Sequence, residues 1–173
     1  MEKKQILLVG LGTEANLVRE ALKGQDIEIR TICAGHMNIK VGEAFTGDLP
    51  AESGQVMKPT VIMFRGFDRD ELDEVLRDIR QAGLSHQPLK AMVTATNWSW
   101  NLPALYEELK EEQQVMGALI RLQKLRNSMP LPDFMDIPAM QARIQAENLL
   151  RGGEGATLEA IEKAYENLKR FQK

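Results

Sequence analysis

The chain has 173 residues, of which 43% are hydrophobic and 27% charged. That composition belongs to a folded globular protein and excludes a disordered one. Lys and Arg number 22 against 25 Asp and Glu, so the net charge is −3. No basic field exists to hold a polyanion, which argues against general nucleic-acid binding.

The first apolar run, Ile6–Val9, is far shorter than a secretory signal core, and no stretch approaches the ~20 apolar residues of a membrane span. Cys33 is the single cysteine and cannot form an intrachain disulfide. Together these features predict a cytoplasmic protein with no membrane contact.

Four apolar runs read as buried strands: Gln5–Val9, Ile27–Ile32, Thr60–Phe64 and Leu89–Thr94. Near-continuous apolar character suits strands covered on both faces, as in parallel sheets. After the first run, Ala15, Val18, Ala21 and Leu22 recur at helical spacing, and Lys23-Gly24 supplies a stop. The second run leads into Cys33–Pro59, 27 residues that hold Gly35, Gly42, Gly47, Pro50, Gly54 and Pro59 and fit neither period, so an irregular connection is expected. Asp68 and Glu71 form an Asp version of the capping box ahead of the stripe Leu72, Val75, Leu76 and Ile79, and Gly83 ends that helix. Acidic residues between 68 and 74, interleaved with Arg69, Arg77 and Arg80, make its outer face a solvated one.

Asn101 caps a long helix predicted to reach Arg126, with Pro103 in its first turn and Trp100 placed as a hydrophobic staple on Leu105. Its apolar positions are Leu102, Leu105, Leu109, Met116, Leu119, Leu122 and Leu125. Residues 127–133 are a linker by composition. A helical hairpin follows: Ile137–Leu150 with Met140, Ile144 and Leu149 apolar, a glycine-rich turn from Arg151, then a Thr157-capped arm with Leu158, Ile161, Tyr165, Leu168 and Phe171. The sequence shows no convincing internal repeat.

These elements predict an α/β fold: a small three-layer sandwich with a mainly parallel four-stranded sheet over residues 1–126, its strand order left open, and a helical hairpin extension over 127–173. In the order 2-1-3-4, stretch 33–59 is long enough to supply the right-handed crossover. The alternative is a ferredoxin-like α+β sheet, which a short connection between the second and third strands would favour.

Residues Val61-Ile-Met-Phe-Arg-Gly-Phe, Glu71-Leu-Asp-Glu-Val-Leu, Lys90-Ala-Met-Val-Thr-Ala-Thr-Asn-Trp-Ser-Trp and Leu105-Tyr-Glu-Glu-Leu carry a resemblance. The segment resembles a short bacterial and archaeal domain that is uncharacterised. With the preceding β-α-β half and the glycine-containing loop Val41–Gly47, the likeness extends over about residues 1–116. Where such sequences often read Thr-Pro-Thr-Asn, this chain has Thr94-Ala-Thr-Asn97. The resemblance implies a fold and a bacterial origin, but no activity, cofactor or catalytic residue.

Three constellations bear on function. Gly10, Gly12 and Thr13 lie between a strand and a helix, where glycines can let backbone N–H groups meet an anion. Ala15 completes the spacing of a dinucleotide fingerprint. However, the second strand lacks the acidic residue the fingerprint requires, and Glu14 would repel a phosphate. A tight turn is the favoured reading. Thr94, Asn97, Trp98 and Trp100 form the densest polar and aromatic cluster at a strand end: either Thr94 and Asn97 orient a polar ligand on which a Trp stacks, or they close an Asx turn while the Trp residues cover the core. Cys33 and His36 could pair as nucleophile and base, though a buried thiol beside a loop imidazole is the commoner arrangement. No metal or cofactor is expected, since His86 is the only other histidine.

No catalytic constellation stands out and amphipathic helix is in surplus. The sequence therefore favours a non-enzymatic binding or regulatory module that forms a homodimer through its C-terminal helices and holds a small molecule at the strand carboxyl ends. The alternative is a nucleotide-binding protein or enzyme using Gly10–Thr13, Cys33 and Thr94–Asn97.

Overall fold

The run Gln5-Ile-Leu-Leu-Val9 forms β1, and every residue of it is buried. Ile6 and Leu8 face one layer of helices, while Leu7 and Val9 face the other. A strand covered on both faces has no polar side to show, so its sequence is apolar throughout. In the computed structural model, which describes residues 3–33, 38–48, 57–152 and 156–172, β1 is joined by β2 (Glu28–Ile32), β3 (Val61–Arg65) and β4 (Leu89–Met92). The sheet order is β2-β1-β3-β4.

The α/β class is as expected, but the strand directions are not. β1 pairs parallel with β2 and β3 parallel with β4, while the central pair β1–β3 is antiparallel. The sheet is therefore mixed rather than mainly parallel, and 33–59 joins antiparallel strands instead of making a parallel crossover. The chain entering β3 also touches the end of β1, where the Met57 N–H donates to Gly10 O at 3.0 Å.

The chain thus contains two β-α-β halves, facing each other across β1 and β3. The register pairs Gln5 with Arg65 and Val9 with Val61, so the centre falls at Leu7–Met63. A left-handed glycine follows each central strand directly, Gly10 at φ +73° and Gly66 at φ +77°. At each, the chain entering the neighbouring strand passes so closely that a Cβ would lie 2.4 Å from Met57 Cβ or 2.6 Å from Lys3 O. The connecting helices, α1 (Ala15–Ala21) and α3 (Arg69–Gln81), lie on the same face. They cover Ile6, Leu8, Ile62 and Phe64 with Ala15, Val18, Val75 and Ile79. This is a structural repeat that the sequence does not display.

The opposite face is covered by α2 (Val41–Thr46) and the start of α4 (Leu102–Ser128), through Val41, Ala44, Phe45, Leu102, Leu105 and Tyr106. Helix α2 lies within the stretch expected to be irregular. It is short, and Gly42 and Gly47 mask its pattern. Two backbone bonds clip the segment before α2 to the entrance of α4: Val41 N–H to Trp100 O at 2.9 Å and Leu102 N–H to Ile39 O at 2.9 Å.

The chain divides into two compact units, residues 1–110 and 111–173. The second unit is helical: the later part of α4 with α5 (Ile137–Leu150) and α6 (Leu158–Lys169). Its core is Ala118, Leu122 and Leu125 from α4, Ala142 and Ala146 from α5, and Ile161, Ala164 and Leu168 from α6. Thr157 caps α6 by accepting from Ala160 N–H at 3.2 Å, as the sequence predicts. The buried stripe of α5 is alanine, not the expected Met140 and Ile144, and Ile144 is 53% exposed. Small residues let the helices approach closely, which leaves larger side chains on the flanks. On α4 the expected core position Met116 is 58% exposed.

Candidate functional site

Because β1 and β3 run in opposite directions, the strand carboxyl ends do not share one edge. Gly10, Gly12, Thr13 and Cys33 follow β1 and β2 at one pole of the sheet. Thr94, Asn97, Trp98 and Trp100 follow β4 at the other. His36 lies outside the described residues, so the Cys33–His36 pairing is not placed; Cys33 itself is buried.

At the glycine pole, the Gly10 N–H donates to Ile32 O at 2.9 Å and the Gly10 carbonyl accepts from Met57. The turn is occupied by the chain itself. Residues Gly12–Glu14 form a short 3-10 helix and α1 has only 7 residues, too few for a developed helix dipole. Thr13 makes no side-chain cap there. Glu14 accepts from Ser85 N–H at 3.3 Å, tying this turn to the loop before β4.

At the tryptophan pole, Thr94 N–H donates to Asn97 Oδ1 at 2.8 Å, and Asn97 N–H reaches Thr94 Oγ1 at 3.5 Å. Asn97 Nδ2 donates to Met92 O at 3.0 Å, and Asn97 O accepts from Trp100 N–H at 3.1 Å. The polar groups of Thr94 and Asn97 are thus engaged in closing a turn, the arrangement expected of an Asx motif. That turn presents Trp98 to α2. A Cβ on Gly42 would lie 2.5 Å from the indole, and the Phe45 ring centroid is 6.3 Å away. Trp100 packs against the same core cluster.

Beside Trp98 runs a polar row that sequence reasoning missed. The Arg65 guanidinium lies 4.3 Å from the Trp98 ring centroid, a cation–π contact. Arg65 Nη1 donates to Gln5 Oε1 at 2.8 Å, and Gln5 Nε2 donates to Glu28 Oε2 at 2.8 Å and to Phe45 O at 3.3 Å. Glu28 also pairs with Lys3 at 3.2 Å. The hydrogen bonds from Gln5 and Lys3 hold the Glu28 carboxyl below the usual carboxylate range. Gln5, Glu28 and Arg65 are register partners on adjacent strands, so their meeting follows from the pairing. The available signal was one polar residue opening an apolar strand and one closing another, readable only once the central pair is taken as antiparallel.

Chemically this rim is an anchored cation on an indole plate, with a buried amide joining it to a carboxylate. The row holds neither a thiol, a hydroxyl nor an imidazole to act as nucleophile or base. No cluster of three or more His, Cys, Asp or Glu among the described residues could hold a metal. No described helix is long and apolar enough to cross a membrane.

Residues 60–116 match a Domain of unknown function (DUF3783). The matched segment begins just before β3 and holds the second β-α-β half, the Thr94–Asn97 turn, both tryptophans and the first part of α4. It therefore includes Arg65 and Trp98 but not their partners Gln5 and Phe45. No curated protein and no solved structure matches the chain.

Proposed function

We propose that the protein is a non-enzymatic interaction module that self-associates through its helical unit. The observation that carries this reading is a run of exposed apolar side chains between and on the helices: Leu131, Phe134 and Met135 are about four-fifths exposed, and Ile137 and Ile144 more than half. Five large apolar groups in one short region are more than the scattered singles a solvated surface normally carries. The α/β unit supports the same reading indirectly, since the polar atoms of the Thr94–Asn97 turn are spent on the fold and the glycine turn is filled by Met57.

Light scattering during size-exclusion chromatography tests it. At tens of micromolar the chain should elute with twice its 19.5 kDa mass. Replacing both Phe134 and Met135 with serine should weaken pairing by at least about tenfold, as loss of central apolar anchors does. A wild-type chain that stays monomeric throughout that range would remove the proposal.

A further inference from the structure

Within the helical unit, α4 and the end of α5 enclose an open cavity of about 600 Å³. One wall is apolar: Met116 and Ile120, one turn apart on α4 and 58% and 45% exposed, together with Leu150. The other wall is charged, with Arg126 from α4, Arg151 at the end of α5, and Glu147. Arg143 Nε already approaches Glu147 at 3.4 Å, one turn away on α5, so this carboxylate has a cation of its own. Arg126 does not have the equivalent. Its Nε is buried and has no hydrogen-bond acceptor among the described residues.

A buried guanidinium N–H without an acceptor is a costly arrangement in a folded protein, because the group has left water and gained nothing in exchange. Arg126 lines the cavity, and a ligand acceptor entering there would satisfy the group once the guanidinium turns out of its buried position. Guanidinium offers its donors in a planar fork, and the chemistry that fits side-on against Nε and its neighbouring Nη is a carboxylate. The cavity volume is in the range of small-molecule sites, and its second wall would cover an aliphatic body. The geometry points to a binding site for a small amphipathic monocarboxylate: its head on Arg126, with Arg151 adding positive potential, and its chain against Met116, Ile120 and Leu150. This site is separate from the Phe134–Met135 region and does not depend on self-association.

The probe is sodium decanoate below its micellar concentration, titrated into the full chain with methionine methyl groups carrying ¹³C. Assignment of Met116 comes from Met116→Leu. Decanoate should shift the Met116 methyl resonance saturably and leave that of Met63, buried in the sheet, unmoved. Arg126→Gln should weaken the titration by at least about tenfold, the loss expected for a charge-assisted contact. Should that variant lose its helical circular dichroism, Arg151→Gln serves instead, with a smaller weakening of a few-fold expected for a long-range charge. Decyltrimethylammonium, with the same chain and the opposite charge, should not compete. An absent or non-saturating Met116 shift, equal binding of the ammonium compound, or folded arginine variants that bind decanoate as well as wild type would each overturn the assignment.

Discussion

Tyr106 is buried against the sheet, and its hydroxyl donates to Pro59 O at 2.7 Å. Tyr106→Phe keeps the ring and leaves that carbonyl without its donor, so a loss of about 0.5–1.5 kcal/mol in urea unfolding near neutral pH is expected. Burial raises the Tyr106 phenol above its ordinary 10.0, because the phenolate would leave water for a low-dielectric site. Above that ordinary value the unfolded chain has released the proton and the folded chain has kept it. The contribution of Tyr106 is therefore complete below pH 10.0 and is lost as pH rises through the folded value. The gap between wild type and Tyr106→Phe should narrow on going from about pH 9 to pH 11; a gap that stays constant would contradict the burial argument. Other single residues were only partly legible. Thr94 and Asn97 are the same residue types whether they hold a ligand or close a turn, and only the mutual bonds between them show the second.

At the scale of elements, end signals carried more than periodicity. The capping box of α3 is present in full: Asp68 Oδ1 accepts from Glu71 N–H at 2.9 Å, and Glu71 Oε2 accepts from Asp68 N–H at 3.1 Å. Asp68 is exposed, so Asp68→Ala removes the cap without opening a cavity. It should cost about 0.5–2 kcal/mol in chemical denaturation, and a neutral result would mean that Asp68 does not cap the helix in solution. Helix α2 escaped notice because it has under two turns and its packing face includes Gly42, chosen for the approach of Trp98 and silent in any hydrophobic count. The antiparallel β1–β3 pair escaped for a different reason. A strand buried on both faces looks the same read in either direction, so the apolar runs of β1 and β3 carry no sign of how they pair. The glycines after β1 and β3 match only as single residues in the sequence, and their shared left-handed conformation shows the repeated half only in the structure.

At the scale of the whole chain, two units with separate cores make a separable prediction. Both tryptophans, Trp98 and Trp100, belong to the unit spanning 1–110, whereas Leu122 is fully buried in the helical core of 111–173. Leu122→Ala leaves a void among Ala118, Ala146 and Ile161, and such truncations cost about 2–5 kcal/mol. Far-ultraviolet circular dichroism follows helix in both units; tryptophan fluorescence follows only the first. If the cores are energetically independent, the variant should develop an early helical transition on heating while the fluorescence midpoint stays within a degree or two of wild type. The opposing influence is α4, whose backbone hydrogen bonds run without interruption from Leu102 to Ser128 and so pass through the boundary. A helix end that frays costs little per turn compared with a lost core leucine, so unwinding should stop before it reaches Tyr106 and Leu105, which the sheet holds. Fluorescence and dichroism midpoints that fall together by the same amount would show instead that α4 couples the two units into one cooperative fold.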